Sequence, residues 1–375
     1  MILHRQLFGK IKDSLINREK IVLIYGPRQA GKTTLSKEVI KSSGLRTLSV
    51  NADQLKYIDV LSSRDLNKLQ SLVSGYELLF VDEGQRVPEI GINLKILHDE
   101  IPDLKILVTG SSSFLLSDRV TEALTGRKVI FTLLPVSVSE LKQSFNSFEI
   151  DDQLEDRLIY GCYPEVITTL NSTLKEELLI DIATSYIFKD IIEMENIKYP
   201  AKIRELLRLL AFQVGSEVSI LELCRTTGLN RETVERYLFL LEQSFIIFRL
   251  SAFSRNQRNE INKSQKFYFY DNGLRNTLID NFKPLDYRTD TGVLWENFVI
   301  SEMIKKKHNN RLLSNYYFWR TYAGAEIDLV VEEGGKLLPY EIKLKKSRKS
   351  APKAWAEVYG TEFYCINRDN YLNFL

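Results

Sequence analysis

Three groups of residues in this chain have the types and spacing to do chemistry. The first is GPRQAGKTT at positions 26–34, where two glycines bracket a short run and lead into Lys32, Thr33 and Thr34. Gly26 and Gly31 let the segment Gly26-Pro27-Arg28-Gln29-Ala30-Gly31 wrap tightly, so that its backbone N–H groups, Pro27 excepted, can face a phosphate. Lys32 would reach the β and γ oxygens of a nucleoside triphosphate, and the Thr33 hydroxyl would ligate Mg²⁺. The second group is Asp82 and Glu83, at the end of LLFVDEGQ (78–85). Asp82 would hold the Mg²⁺ shell through water, and Glu83 would polarise the attacking water as a general base. The third is EIDLVVEEGGKLLPYEIK (326–343), with Glu326, Asp328, Glu341 and Lys343, preceded by Glu296 in GVLWENFVISEMIKKK (292–307). Carboxylates in that order can converge on Mg²⁺ while a lysine steadies an attacking water or a charged phosphate.

These residues need elements to position them. IVLIY (21–25) reads as a short apolar strand running straight into the glycine loop, and TLSKEVIKSSG continues it as a helix. Without that flanking strand and helix, the loop would be a Gly-rich turn with a surface lysine. KILVTG (105–110) is a further strand opening into SSS, which makes Ser111 a candidate γ-phosphate or water sensor; a Ser-rich turn is the plainer reading. In LTGRKVIFTLLP, Arg127 sits just before another strand. It is a candidate finger for a neighbouring subunit's γ-phosphate, which would require a homo-oligomer; otherwise it is a solvated arginine beside Gly126. Strands at 21–25, 46–50, 77–81, 105–109 and 128–133 alternate with helical stretches, which predicts a parallel sheet covered on both faces. The loop and the acids fall at the carboxyl ends of strands, where such sheets bind ligands.

Residues 136–200 are helical and amphipathic, interrupted by a turn at YGCYPEV. Residues 201–271 scan as three helices and a β-wing, with a Thr-Gly turn between the second and third helices and KFYFYD (266–271) returning as a wing strand. Such a module binds DNA or another protein. Arg231 and Arg236 on the third helix are offset by Glu232 and Glu235, whereas groove-reading helices carry an excess of donors. The wing is more basic: Arg255, Arg258, Lys263 and Lys266 face Glu260 alone, a stripe able to touch phosphates or simply to be solvated. In KLLPYEIK, alternation puts Glu341 and Lys343 on one face and Ile342 on the other. A glutamate there needs a cation, and either a metal or Lys343 can serve. LKKSRKSAPK then adds Lys345, Lys346, Arg348, Lys349 and Lys353, a phosphate track or a solvated face.

Composition bounds these readings. The chain has 375 residues, 44% hydrophobic and 27% charged, enough for two or three domains with real cores. Lys plus Arg total 51 against 49 acids, so the net charge of +2 exerts no global pull on nucleic acid. Cys162, Cys224 and Cys365 are too scattered, and His4, His98 and His308 too few, for a zinc site or a disulfide framework. The first residues lack the apolar core of a signal peptide and no apolar run is long enough to span a bilayer, so a cytoplasmic protein with no membrane partner is expected.

GPRQAGKTTL, FVDEGQ, VTGSSS and LTGRKVIFTLLPVSVSE resemble the AAA-type P-loop ATPase module of a large prokaryotic ATPase family. The similarity continues through YGCYPEV into the C-terminal region and covers nearly the whole chain. One departure is Gly84, where an apolar residue is expected between the Glu and the Gln. Asp328, Glu341 and Lys343, with Glu296 or Glu326 as extra acids, resemble the PD-(D/E)XK nuclease superfamily, and the ATPase family carries a C-terminal domain of this kind too. The resemblances imply an α/β chain in four parts. An AAA-type P-loop parallel sheet with helices on both faces (1–135) is followed by a helical lid or connector (136–200). A winged-helix module (201–271) and a C-terminal α/β PD-(D/E)XK nuclease-like domain (272–375) complete it. They imply an Mg²⁺-dependent protein that binds and hydrolyses ATP, couples nucleotide state to its C-terminal region and acts on DNA. The alternative is a nucleotide-switched protein-interaction module whose nuclease-like part is an inactive scaffold.

Overall fold

The computed structural model describes residues 3–111, 122–185, 197, 199–254, 265–345 and 350–375. Arg255, Arg258, Glu260 and Lys263 of the expected wing stripe, and Lys346, Arg348 and Lys349 of the basic run, lie outside the described residues. The chain divides into two compact units, with the boundary between Leu134 and Pro135.

The first unit is built on five strands: β1 (Ile21–Tyr25), β2 (Thr47–Asn51), β3 (Leu78–Asp82), β4 (Lys105–Gly110) and β5 (Lys128–Thr132). They pair in parallel in the order β2-β3-β4-β1-β5. β1 is apolar throughout because both of its faces are covered. Val22 and Ile24 pack toward Leu7, Ile11 and Leu15 of α1 (Leu7–Asn17) and Leu35 and Val39 of α2 (Lys32–Ser43). Ile21 and Leu23 pack on the other face, toward Leu61 of α3 (Leu55–Leu61), Leu69 and Val73 of α4 (Leu66–Val73), and Ile90, Leu94 and Leu97 of α5 (Ile90–Glu100). The four-residue spacing of Leu7, Ile11 and Leu15 puts all three on one helical stripe, and each buried side chain contributes about 1.5–3 kcal/mol. The expected parallel sheet with helices on both faces is what forms.

The second unit holds a seven-stranded sheet in the order β12-β11-β10-β9-β7-β8-β6. Its strands are β6 (Glu217–Val218), β7 (Ile247–Ala252), β8 (Gln265–Phe269), β9 (Ser314–Arg320), β10 (Glu326–Glu333), β11 (Lys336–Ile342) and β12 (Tyr364–Ile366). Leading into β7 are α6 (Pro200–Phe212), α7 (Ile220–Thr227) and α8 (Arg231–Gln243). Ser219 caps α7 by accepting from the Glu222 N–H, Gly228 closes it at φ +71°, and Asn230 caps α8 through the Thr233 N–H. Val234, Leu238 and Leu241 of α8 are buried.

Two expectations are corrected here. The boundary drawn at 271 falls inside one sheet, because Ser251 and Ala252 of β7 pair in parallel with Tyr317 and Phe318 of β9. Those backbone groups need partners, and β9 supplies them. Lys266 does not belong to a solvated wing: it is 3% exposed, lies over the Phe318 ring and pairs with Glu326.

Behind the sheet runs α9 (Thr291–Asn310), which carries buried polar residues. Glu302 accepts from Lys305 Nζ at 2.7 Å and from the Val138 N–H at 2.6 Å, so neither buried charge is unpaired. The YGCYPEV turn is held by Asp271, which accepts from the Cys162 N–H at 2.6 Å. Gly161 is required there: at φ +75°, a Cβ would stand 1.9 Å from Asp271 Oδ1. Among the described residues, no helix is long and apolar enough to cross a membrane.

Candidate functional site

The glycine loop leaves β1 at Gly26 (φ +151°), passes Gln29 (φ +56°) and enters α2 at Gly31 (φ +93°). A Cβ at Gly26 would lie 2.0 Å from the Leu133 carbonyl oxygen, so the backbone approach itself demands glycine. The guanidinium of Arg5 braces the loop by donating to the Ala30 carbonyl at 2.7 Å and the Leu134 carbonyl at 2.6 Å. Pro27 and Ala30 are buried, Arg28 is half-buried, and Gln29 and Thr34 are exposed. Lys32 is 5% exposed, and its ammonium donates to the carbonyls of Gly26 (3.0 Å) and Pro27 (2.9 Å), which keeps it beneath the loop.

Opposite the loop, the Thr33 hydroxyl lies 3.0 and 3.1 Å from the two Asp82 oxygens. Thr109, at the end of β4, donates to Asp82 and accepts from the Glu83 N–H at 3.2 Å. Glu83 itself is in the left-handed region at φ +57°, sparsely populated by residues other than glycine. Its carboxylate accepts from Gln85 Nε2, and Gln85 Oε1 accepts from the Ser111 N–H at 3.1 Å. Sequence reasoning placed Asp82, Glu83 and Ser111 at the strand ends but missed Arg5, Thr109 and Gln85. Thr109 and Gln85 stood inside the quoted strand ends, yet only strand order shows what they touch. The hydroxyl of Thr33 and the carboxylate of Asp82 are hard oxygen donors facing each other, a donor set that fits Mg²⁺. An ion held there would neutralise phosphate charge.

Arg127 lies at the other end of the sheet. Its carbonyl accepts from the N–H of Ile21, the first residue of β1, whereas the loop follows Tyr25 at the strand's far end. Five residues of strand separate them by about 16 Å. Its guanidinium is bidentate on Asp99, at 2.7 and 2.9 Å.

In the second unit, Asp328, Glu341 and Lys343 lie together. Asp328 is 5% exposed and accepts from the Ile342 N–H at 2.7 Å and from Lys343 Nζ at 2.9 Å. Lys343 Nζ is also 3.4 Å from Glu341 Oε1. Burial alone would depress the Lys343 ammonium, but the charges of Asp328, Glu341 and Glu296 outweigh it and hold its pKa above the ordinary value. The remaining two acids have hydrogen-bond or ion-pair partners of their own. Glu296 accepts from the Tyr268 hydroxyl at 2.8 Å, and burial, then the Asp328 charge, pushes its carboxyl up to about 7. Glu326 pairs with Lys266 and lies 3.8 Å from Arg320. β7 and β9 stand between β8 and β10 in the sheet, so the Lys266–Glu326 pair reaches across two intervening strands.

The cation between Asp328 and Glu341 is the Lys343 ammonium. Among the described residues, no three His, Cys, Asp or Glu side chains gather where they could hold a metal. Tyr268 and Lys266, which satisfy the two extra acids, were not foreseen in those roles, since no local signal links residue 268 to 296 or 266 to 326.

Three stretches of the chain match known domain families. Residues 18–142 match the AAA domain, residues 151–285 a domain of unknown function (DUF8612), and residues 291–365 another domain of unknown function (DUF4143). An uncharacterized protein of Mycobacterium tuberculosis is 30% identical over 348 residues, covering 92% of this chain and 74% of that protein. The chain belongs to its family. An uncharacterized protein of Mycobacterium bovis matches to the same extent, and one of Methanocaldococcus jannaschii is 25% identical over 322 residues, 79% of this chain and 70% of that protein. In the family's terms, the AAA domain contains the whole loop with Asp82 and Glu83, and makes this chain P-loop ATPase-like. The C-terminal charge cluster is shared: Lys266 and Tyr268 fall in DUF8612, and Glu296, Asp328, Glu341 and Lys343 in DUF4143.

Among solved structures, a Walker-type ATPase of Pyrococcus abyssi has a TM-score of 0.47 at 14% identity, over 74% of this chain and 96% of that one. The RuvB Holliday junction branch migration motor of Thermotoga maritima has a TM-score of 0.32 at 17% identity, over 66% of this chain and 90% of that one. Overlaps of this size carry nothing about activity.

Proposed function

We propose that this protein is an Mg²⁺-dependent ATPase whose nucleotide state switches an interaction module, the C-terminal charge cluster being a scaffold that cuts nothing. The observation that carries the first half is the meeting of Thr33 and Asp82 at 3.0 Å beside a buried Lys32 held under the loop. Gly26, Pro27, Arg28, Gln29, Ala30, Gly31 and Thr34 line the phosphate path, and Lys32 meets the β and γ oxygens. Thr33 and Asp82 would hold the Mg²⁺. Glu83 takes the proton of the attacking water, and Ser111 stands at the end of β4 as the sensor. Arg127 points away from its own loop, which supports a role on a neighbouring subunit and hence a homo-oligomer.

The scaffold reading of the second half rests on Lys343 between Asp328 and Glu341, and on Lys266 against Glu326. Action on DNA is the second reading. The helix order of α6, α7 and α8 with β6, β7 and β8 supports a winged helix, and Asp328, Glu341 and Lys343 do share a face. Against a groove-reading role, Arg231 on α8 is tied to Glu235 at 2.7 Å.

ATP turnover by the full chain, with and without DNA, tests both halves. Turnover abolished by Glu83→Gln and indifferent to DNA supports the switch. DNA stimulation, salt-dependent DNA binding, or Mn²⁺-dependent cleavage lost in Glu341→Ala and Lys343→Ala supports the second reading.

A further inference from the structure

We propose that Gln85 is a positioning residue for ATP hydrolysis, its side-chain amide fixing the Glu83 carboxylate and tying it to the end of β4 at Ser111. The inference rests on the ATPase reading above and adds a residue to it.

The chemistry of the two partners dictates which way round the amide lies. A backbone N–H can only donate, so the Ser111 N–H at 3.1 Å must meet Gln85 Oε1. That leaves Nε2 for Glu83, whose ionised carboxylate can only accept. A flipped amide would set donor against donor at Ser111 and oxygen against oxygen at Glu83. No other orientation satisfies both partners.

The same contact closes a continuous chain of bonds. Ser111 N–H donates to Gln85, Gln85 to the Glu83 carboxylate, the Glu83 N–H to Thr109, and Thr109 to Asp82. The ends of β3 and β4 are thereby locked to each other around the reacting water's place. Gln85 sits in the tight 3₁₀ turn Gly84–Arg86, closed by the Val87 N–H on the Gly84 carbonyl at 3.1 Å. That turn carries the amide back over Glu83. A donor on Glu83 Oε2 leaves Oε1 to take the proton from water. Without it, the carboxylate swings on three rotatable bonds, and a misplacement of about 1 Å costs roughly 10²-fold in rate.

The test compares two variants of the full chain with the wild type. Gln85→Ala is expected to lower kcat for ATP by about 10–100-fold while KM stays within about threefold, because the phosphate loop is untouched. Gln85→Glu sets carboxylate against carboxylate. It is expected to be as impaired as Gln85→Ala at neutral pH and to regain activity, relative to wild type at the same pH, as the pH falls toward the carboxyl range near ~4.3, since only the protonated acid donates. A residue that merely supports folding gives no such pH-linked recovery. If Gln85→Ala unfolds, Gln85→Glu decides alone: a loss that does not change with pH overturns the proposal. Wild-type kcat in Gln85→Ala, with Glu83→Gln inactive, also overturns it and leaves the ATPase reading standing. Absence of ATP turnover in the wild type brings down the ATPase reading and this inference together.

Discussion

Thr33 and Asp82 are 49 residues apart in sequence, yet the threonine hydroxyl lies 3.0 Å from the aspartate's Oδ1. The contact arises because β1 and β3 run parallel with β4 between them, so their carboxyl ends open on the same edge of the sheet. A local glycine loop and a distant acid thereby become one site. Removing the ammonium beside it should be severe: Lys32→Ala is expected to lower kcat/KM for ATP by roughly 10²-fold or more. Thr33→Ala should shift the Mg²⁺ dependence of turnover to higher concentrations. Steady-state kinetics across an Mg²⁺ series would read both, and wild-type rates in Lys32→Ala would remove the loop from the mechanism.

Gly26→Ala addresses the loop's shape rather than its chemistry. The new methyl would meet the Leu133 carbonyl oxygen at 2.0 Å, a backbone atom that cannot rotate away. A loss of about 3 kcal/mol or more is expected, in the range of severe overpacking. Denaturant unfolding would show it, and an unchanged midpoint would mean the loop relaxes freely.

If Arg127 serves a neighbouring subunit, two crippled chains should complement each other. Arg127→Ala keeps a working loop, and Lys32→Ala keeps the arginine. Mixed in equal amounts, they should turn over more ATP than either alone, since mixed assemblies contain some intact loops facing intact arginines. A mixture no better than the sum of its parts would leave Arg127 as the surface partner of Asp99 that the ion pair already makes it.

The pH dependence of stability should register Glu296. Burial, with the Asp328 charge second, raises its carboxyl from 4.5 to about 7. Between those values the folded chain holds a proton that the unfolded chain has released. Stability from this group therefore falls as pH rises from about 4.5 to about 7 and is level above that. Glu296→Gln cannot titrate, so its unfolding midpoint should lack this decline. Parallel slopes for wild type and variant across the window would show that the group titrates normally.

Lys266→Met keeps most of the side chain's packing on Phe318 but leaves Glu326, among the described residues, the Arg320 guanidinium at 3.8 Å. A cost of about 1–3 kcal/mol is expected, below that of a fully buried pair because Glu326 can turn toward water. The double variant Lys266→Met, Glu326→Gln should recover part of the loss. Additive losses in that cycle would mean the two residues do not interact.

The phosphate loop was legible in the chain alone because its information is local. IVLIY, the glycines and Lys32-Thr33 lie within a few residues of one another, and each conformation follows from nearby sterics. The apolar runs at β1, β3 and β4 likewise announced a sheet buried on both faces. That Glu341 and Lys343 share a face was also readable, because the two-residue period of a strand sets it, and the Gly-Gly hairpin brings Asp328 opposite them. What only the tertiary structure decided is which groups satisfy the remaining charges. The neighbours of Glu83, Glu296 and Glu326 are Gln85 with Ser111, Tyr268, and Lys266. Each depends on strand order, in the second unit that of a seven-stranded sheet joining segments expected to be separate modules. A buried carboxylate has to find a donor or a cation, but the sequence does not say which one the fold will bring to it.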